Sequence, residues 1–281
     1  MIAESLDHLV ILVADHAKAV ATYETLLGRR RDWQHMSAED GTVTTQFALS
    51  NTTIELLAPH GSGPVGDRIR ELLGDREGLL TSLVFRTSDI GDAHYLCHRR
   101  GLKPGSISHQ AANYSGLSRR WARFRCEAEV FGEVKVFVLQ QEENELPYLR
   151  ASNDAVTRLD HVVINTGNPD RAMASYGARL DLRLALDRTN EDWGARFLFF
   201  RTGDTTLEVI NRLDNSMTQD DPDALWGMTY EIEDLDAAHE RLSDRGVKVS
   251  EVRKGRKPGT RVMSVKSHDL GVPTLLLDTK G

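Results

Sequence analysis

The sequence predicts an α+β protein of two tandem domains, each made of two paired βαβββ modules. Three observations carry that prediction. Leu6-Asp7-His8-Leu9-Val10 returns as Leu159-Asp160-His161-Val162-Val163, 153 positions later. Thr52-Thr53-Ile54-Glu55-Leu56-Leu57 returns at the same spacing as Thr205-Thr206-Leu207-Glu208-Val209-Ile210. Within each half, the order of strand, capped helix and three further strands is read twice. One spacing held from strand to helix to strand marks a duplication, and its period is too long for a solenoid.

The first module opens with a nearly unbroken apolar strand, Leu6 to Val13, which suits a central strand covered on both faces. Asp15 offers a helix cap. Ala19, Val20, Tyr23 and Leu27 follow at helical spacing, and Gly28 suits the stop. Arg29–Met36, Val43–Leu49 and Thr52–Leu57 read as strands around a turn at Asn51. A short amphipathic helix, Gly66–Leu73, connects to the second module. There Leu79–Arg86 is a strand and Asp89 caps a helix ending at Gly101. Strands are expected at Pro104–His109, Ser118–Glu127 and Val134–Gln140. The third module repeats the first, with Asn168 as cap and Pro169 at the first helical position. The fourth repeats the second, with Asp234, Ala238, His239 and Gly246 answering Asp89, Ala93, His94 and Gly101. The expected first domain is 1–140 (modules 6–58 and 79–140). A charged linker, 141–157, contains Pro147, and the second domain is 158–281 (modules 159–212 and 226–279).

Composition bounds the function. The chain has 281 residues, 40% hydrophobic and 27% charged, with a formal net charge of −7. That balance argues against a nucleic-acid or anionic-membrane surface. No apolar run approaches the ~20 residues of a membrane span. The opening residues lack the basic and apolar regions of a secretory signal. Two cysteines are too few for a disulfide framework or a thiolate metal site. A cytoplasmic protein is expected, with a small molecule as its partner.

The residues Leu6-Asp7-His8-Leu9-Val10, with Asp15, Tyr23, Leu27-Gly28 and Ile54-Glu55-Leu56-Leu57, resemble the vicinal oxygen chelate superfamily. That group includes glyoxalase I, bleomycin-resistance proteins, extradiol dioxygenases and methylmalonyl-CoA epimerase. Ile54 through Pro59, Pro64, Leu72 and Leu83-Val84-Phe85 look most like the epimerase branch. The resemblance implies that paired modules form a curved open sheet with a concave cavity. There His, Gln or Glu side chains would hold a divalent metal (Zn, Fe, Mn, Co or Ni). A homodimer is also a family-level expectation. His8 and Glu55 match the first module's ligand positions, and His161 and Glu208 match the third's. The remaining positions fall at Ser82, Val138, Gly227 and Leu276, which supply no ligand. The metal set is therefore incomplete in each domain.

Three readings of the His/Glu pairs follow: hydrogen-bonded structural pairs, an acid/base couple with or without a weakly held metal, or one four-ligand site if the first and third modules pair. Alternation fills in the wall. Gln46 and Thr44 share the face of Glu55 and Leu57. Arg119, Trp121, Arg123 and Arg125 share a face able to hold an anion and stack on a ring, while Ala122, Phe124 and Cys126 pack under the helix. The bland reading of the Arg/Trp face is a solvated sheet surface. Phe197 and Phe199 face inward in the second domain, and ordinary core packing is the bland reading there.

The function expected is an isomerase, lyase or dioxygenase acting on a small oxygenated or acyl metabolite. Glu55 and Glu208 would be base or ligand, His8 and His161 ligand or proton partner. Gln46, Trp121, Arg123, Arg125, Phe197 and Phe199 would bind substrate. The alternative is a metal-free protein that sequesters a small ligand, of the bleomycin-resistance type.

Overall fold

The computed structural model describes residues 1–280. Gly281 lies outside the described residues. Among the described residues, sixteen strands and five α-helices follow the expected order. The first half contributes β1 (Ser5–Val13), α1 (His16–Leu27), β2 (Trp33–Ser37), β3 (Thr42–Ala48), β4 (Thr53–Pro59) and α2 (Pro64–Leu73). It continues with β5 (Gly78–Arg86), α3 (Ile90–Arg99), β6 (Ser108–Tyr114), β7 (Leu117–Cys126) and β8 (Lys135–Glu143). The second half contributes β9 (Val156–Asn165), α4 (Pro169–Ala172), β10 (Arg183–Asn190), β11 (Ala195–Thr202) and β12 (Thr205–Arg212). It ends with β13 (Ala224–Ile232), α5 (Leu235–Asp244), β14 (Arg253–Lys254), β15 (Arg261–Val265) and β16 (Thr274–Asp278).

Each half makes one eight-stranded sheet. The strand orders are β2-β3-β4-β1-β5-β8-β7-β6 and β10-β11-β12-β9-β13-β16-β15-β14. In each, the His-bearing strand lies next to the Glu-bearing strand, and sequential modules share a sheet. The first and third modules do not, so the four-ligand arrangement that required their pairing is corrected. Short connections favour this result, because neighbouring modules find each other first.

Two compact units, each drawing on both halves of the sequence, can be described separately. One holds Met1–Leu9, Thr81–Glu145 and His161–Trp226; the other holds Val10–Leu80, Leu146–Asp160 and the described residues from Gly227 onward.

In the second of these, α1 begins where Asp15 accepts a hydrogen bond from the Lys18 amide and ends at Gly28, whose φ is 68°. Its buried face carries Ala19, Val20, Tyr23, Leu26 and Leu27. Tyr23 meets Phe47 of β3 at 6.2 Å between ring centroids. Burying each such side chain contributes about 1.5–3 kcal/mol. Arg241 of α5 donates to the carbonyls of Thr25 and Leu26 and pairs with Asp154. A cation there satisfies the exposed carbonyls at the end of α1 and favours its dipole.

The same unit closes on Asp278, which is 1% exposed and is held by Arg261 through both carboxylate oxygens. Burial alone would raise this carboxyl; the Arg261 hydrogen bonds outweigh it and hold the group below its usual value of 3.8. A depressed carboxyl contributes stability that is present above the unfolded value and lost as pH falls through the folded one. Thermal melts should therefore separate wild type from Asp278→Asn at neutral pH and converge toward it in strong acid. A gap that is independent of pH would refute the coupling.

In the other unit, Asp89 caps α3 as expected. Ala122, Phe124 and Cys126 are buried beneath that helix, with His94 edge-on to Phe124 at 5.0 Å. The strand expected at Pro104–His109 is corrected to β6, Ser108–Tyr114. Ser115 and Gly116, with φ of 51° and 83°, make the two-residue turn that fixes β6 against β7. Positive φ at both turn positions matches the right-handed twist of the flanking strands. Pro104, which has no amide hydrogen for a ladder, makes only an isolated bridge to Cys126.

The third module's helix starts as expected, with Asn168 accepting from the Arg171 amide and Pro169 at the first position. It then widens into a π-helix over Met173–Arg179. Ser175 Oγ donates to the Arg171 carbonyl at 2.8 Å, drawing on the oxygen that a regular turn would use. Just ahead of this helix, a Cβ on Gly167 would stand 1.7 Å from the Thr218 carbonyl oxygen. Backbone meets backbone there, so Gly167→Ala should destabilise by about 1–3 kcal/mol through displacement of that loop. Urea unfolding of the variant at an unchanged midpoint would refute this close approach.

Candidate active site

The duplicated strands do not make duplicate sites. In the first copy His8 is buried, and its Nδ1 lies 2.7 Å from Asp7 Oδ1. Asp7 Oδ2 accepts from Arg86 Nε at 2.9 Å, and Arg86 Nη1 donates to Glu145 at 2.7 Å. Burial would raise the Asp7 carboxyl, but its hydrogen bond with His8 and the charges of His8 and Arg86 hold it below the usual carboxylate range. A carboxylate on Nδ1 fixes the ring's orientation. Glu55 is also buried, and Gln46 Nε2 donates to its Oε2 at 2.7 Å. Gln46 is directly opposite Glu55 on β3, with Trp33 on the other side. Thr44 and Leu57 share that face, as alternation requires.

The second copy is more open. His161 Nε2 lies 3.1 Å from Glu208 Oε2, with side chains 19% and 14% exposed. Phe199 occupies the position opposite Glu208 that Gln46 holds opposite Glu55. The register builds three rows on one sheet face. Arg201, Thr206 and His161 form one; Leu186, Phe199 and Glu208 form the next; Arg188, Phe197 and Ile210 form the third. Residues between them point to the opposite face, where Leu198, Phe200, Leu207 and Val209 are fully enclosed. The alternation is clean, so the rows are real neighbours.

That face combines an apolar wall with polar groups. Phe197 and Phe199 stack at 6.4 Å, and Trp193 meets Phe197 edge-on at 5.8 Å. Trp193 and Leu186 are 44% and 46% exposed. Arg201 Nη1 donates to Thr206 Oγ1 at 2.6 Å, placing a guanidinium at the His161 end. Sequence reasoning put Phe197 and Phe199 on this face but missed Arg201, which is two positions beyond Phe199 on the same strand.

The carried-over positions in the second and fourth modules need a correction of register. Val138 pairs with Phe124, on the helix-covered face, whereas Ser82 shares its face with Phe137 and Leu139. Leu276 likewise pairs with Tyr230 and Met263, opposite to Gly227. A one-residue slip reverses the facing of a strand. On β8 and β16, the residues beside Val138 and Leu276 that share the faces of Ser82 and Gly227 are Phe137, Leu139, Leu275 and Leu277, and these four also supply no ligand.

The His161–Glu208 separation matches a cis edge of about 3 Å around an ion with bonds of about 2.1 Å. A catalytic ion of this kind usually takes three protein ligands. Among the described residues, no group of three or more His, Cys, Asp or Glu is placed to hold one. The donor set does not fit a tightly held resident metal.

The other residues expected to bind substrate lie on the first sheet. Trp121 Nε1 donates to Gln110 Oε1 at 3.0 Å, and a register shift separates it from Arg120. Arg123 lies over the Phe137 ring at 5.7 Å, and Arg125 is directly opposite Phe137. These residues share one face, as expected.

Comparison with known proteins shows the family and the fold. The glyoxalase-like domain model matches residues 6–180, and the model of the glyoxalase, bleomycin-resistance protein and dioxygenase superfamily matches residues 160–263. A mutant of 4-hydroxymandelate synthase from Streptomyces coelicolor is 14% identical with a TM-score of 0.72, covering 100% of this chain and 94% of that one. The Mn(II)-bound glyoxalase from Novosphingobium aromaticivorans is 12% identical with a TM-score of 0.63, covering 99% of this chain and 83% of that one. At these identities the likeness is one of fold. No curated protein matches the chain. With a family model spanning well over half its length, the chain belongs to the glyoxalase-like domain family of the vicinal oxygen chelate superfamily.

Proposed function

We propose that this protein is an enzyme that moves a proton at a carbon next to a carbonyl of a small aromatic or acyl metabolite, on the open face of the second sheet. The observation that carries the reading is the half-open His161–Glu208 couple beside a stacked aromatic wall. Glu208 takes the proton, and His161 hydrogen-bonds the carboxyl and orients it. Phe197, Phe199 and Trp193 receive the apolar part of the substrate, and Arg201 supplies a cation for an oxyanion or carboxylate. The test is deuterium incorporation, followed by NMR, into a panel of small aromatic 2-oxo acids and acyl thioesters in heavy water. Exchange that requires Glu208 supports the proposal; no exchange with any member of the panel counts against it.

A second reading, a small-molecule sequestering protein, is favoured by the exposed Trp193 and the two-ligand donor set. It expects saturable quenching of tryptophan fluorescence by an aromatic ligand without any exchange. Titration of the purified chain with Mn(II) or Fe(II) tests the family's metal expectation separately, because a two-ligand site binds such an ion weakly.

A further inference from the structure

The strongest unassigned feature lies on the first sheet, away from the His161–Glu208 strands. A cleft of about 220 Å³ is lined by Ser106, Ser108, Arg123, Arg125, Glu127 and Phe137, with Gly105 at its edge. It is smaller than the ~300–1,000 Å³ of a drug-sized pocket, so it suits a compact group. Arg123 and Arg125 alternate on β7 and point to the same side. Most partly enclosed arginines of this acidic chain are tied to carboxylates, as Arg86, Arg171, Arg196, Arg241 and Arg261 are. The partly enclosed Arg123 and the exposed Arg125 have no ion pair among the described residues, and Arg123 lies over Phe137 instead. The Ser108 hydroxyl donates to the Arg123 carbonyl, which fixes the cleft's other strand.

We propose that this cleft binds the phosphoryl group of a small hydroxylated phosphate monoester, as a site separate from the His161–Glu208 face. A phosphate monoester carries about −1.5 to −2 charges near pH 7 and presents three acceptor oxygens. Two guanidinium forks match that charge and geometry, whereas one carboxylate would leave a fork unused. Glu127 is the lone carboxylate in the lining. It would repel bare phosphate and accept a hydrogen bond from a neighbouring hydroxyl, so it selects an ester with a hydroxyl beside the phosphoryl group. The Phe137 ring forms an apolar floor that holds Arg123 extended.

The test is calorimetric titration of the full chain with glycerol 1-phosphate and, separately, with inorganic phosphate. Glycerol 1-phosphate should bind saturably and more tightly than inorganic phosphate. Arg123→Gln with Arg125→Gln should weaken it by at least about tenfold. Glu127→Gln should narrow the difference between the two probes. Because the two arginines form no ion pair, the double variant should keep its melting temperature. On the unmodified chain, the affinity should also fall as salt is added, since exposed charge pairs are screened. Absence of saturable binding, affinity unchanged in the double variant, or affinity insensitive to salt would each overturn the proposal. None of these outcomes bears on proton exchange at Glu208.

Discussion

Asp223→Ala should lower unfolding stability by about 3–5 kcal/mol, the cost of stranding one partner of a buried charge pair. Asp223 is fully buried. Its Oδ1 accepts from Thr166 Oγ1 at 2.6 Å and from Arg171 Nη2 at 2.7 Å. Its backbone carbonyl accepts from the Glu133 amide, so side chain and main chain both serve as joints. Removing the carboxylate leaves the Arg171 charge facing two loop carbonyls, those of Gln219 and Asp221. Arg171 is 23% exposed, so water can offset part of the loss and the lower end of the range is expected. Asp223→Asn should cost less, because an amide oxygen can still accept from Thr166 and Arg171. Arg171→Met combined with Asp223→Ala should cost less than the two single changes added together, because neither charge is then left alone. Urea titrations of the four variants check this. Strict additivity would show that the pair does not act as a unit.

That network also marks the limit of what the sequence could show. Thr166, Arg171 and Asp223 are spread over more than fifty positions, and nothing in their local pattern ties them together. Features set by local physics were legible. The apolar period of β1 and β9, the caps at Asp15, Asp89, Asn168 and Asp234, and the glycine stops follow from backbone chemistry within a few residues. The duplication was legible because one spacing relates two long segments. The edge strand was placed too early, at Pro104–His109, although Ser115-Gly116, both at positive φ, marks the hairpin turn that sets β6. The ligand register at Val138 and Leu276 slipped by one, because an all-apolar strand has no polar residue to mark its face. The closer burial of the first copy and the more open His161–Glu208 contact of the second could not be read from two nearly identical motifs. It depends on side-chain rotamers and on whether Gln46 or Phe199 stands opposite the glutamate.

That difference produces the largest functional prediction. Glu208→Gln should lower kcat for carbon–hydrogen exchange by about 10²–10⁴, the usual contribution of a positioned acid or base. This corresponds to about 2.7–5.4 kcal/mol of barrier. Glutamine keeps the shape of glutamate and can still contact His161, so substrate binding should change little and the loss should fall on kcat rather than KM. The equivalent change at Glu55 should behave differently. Glu55 is 9% exposed and already accepts from Gln46, so Glu55→Gln places two amides face to face in a buried site. Its effect should appear as reduced stability, with exchange by the second sheet retained. Phe199→Gln would give the second copy the partner that Glu55 has in the first, and should suppress exchange while leaving Glu208 in place. If Glu55→Gln abolishes exchange and Glu208→Gln does not, the chemistry belongs to the first copy. If neither change affects ligand affinity and no substrate exchanges, the aromatic face binds without catalysing. The two copies thus separate by experiment along the line their side chains already draw, with a buried glutamate facing Gln46 in one and a more open glutamate facing Phe199 in the other.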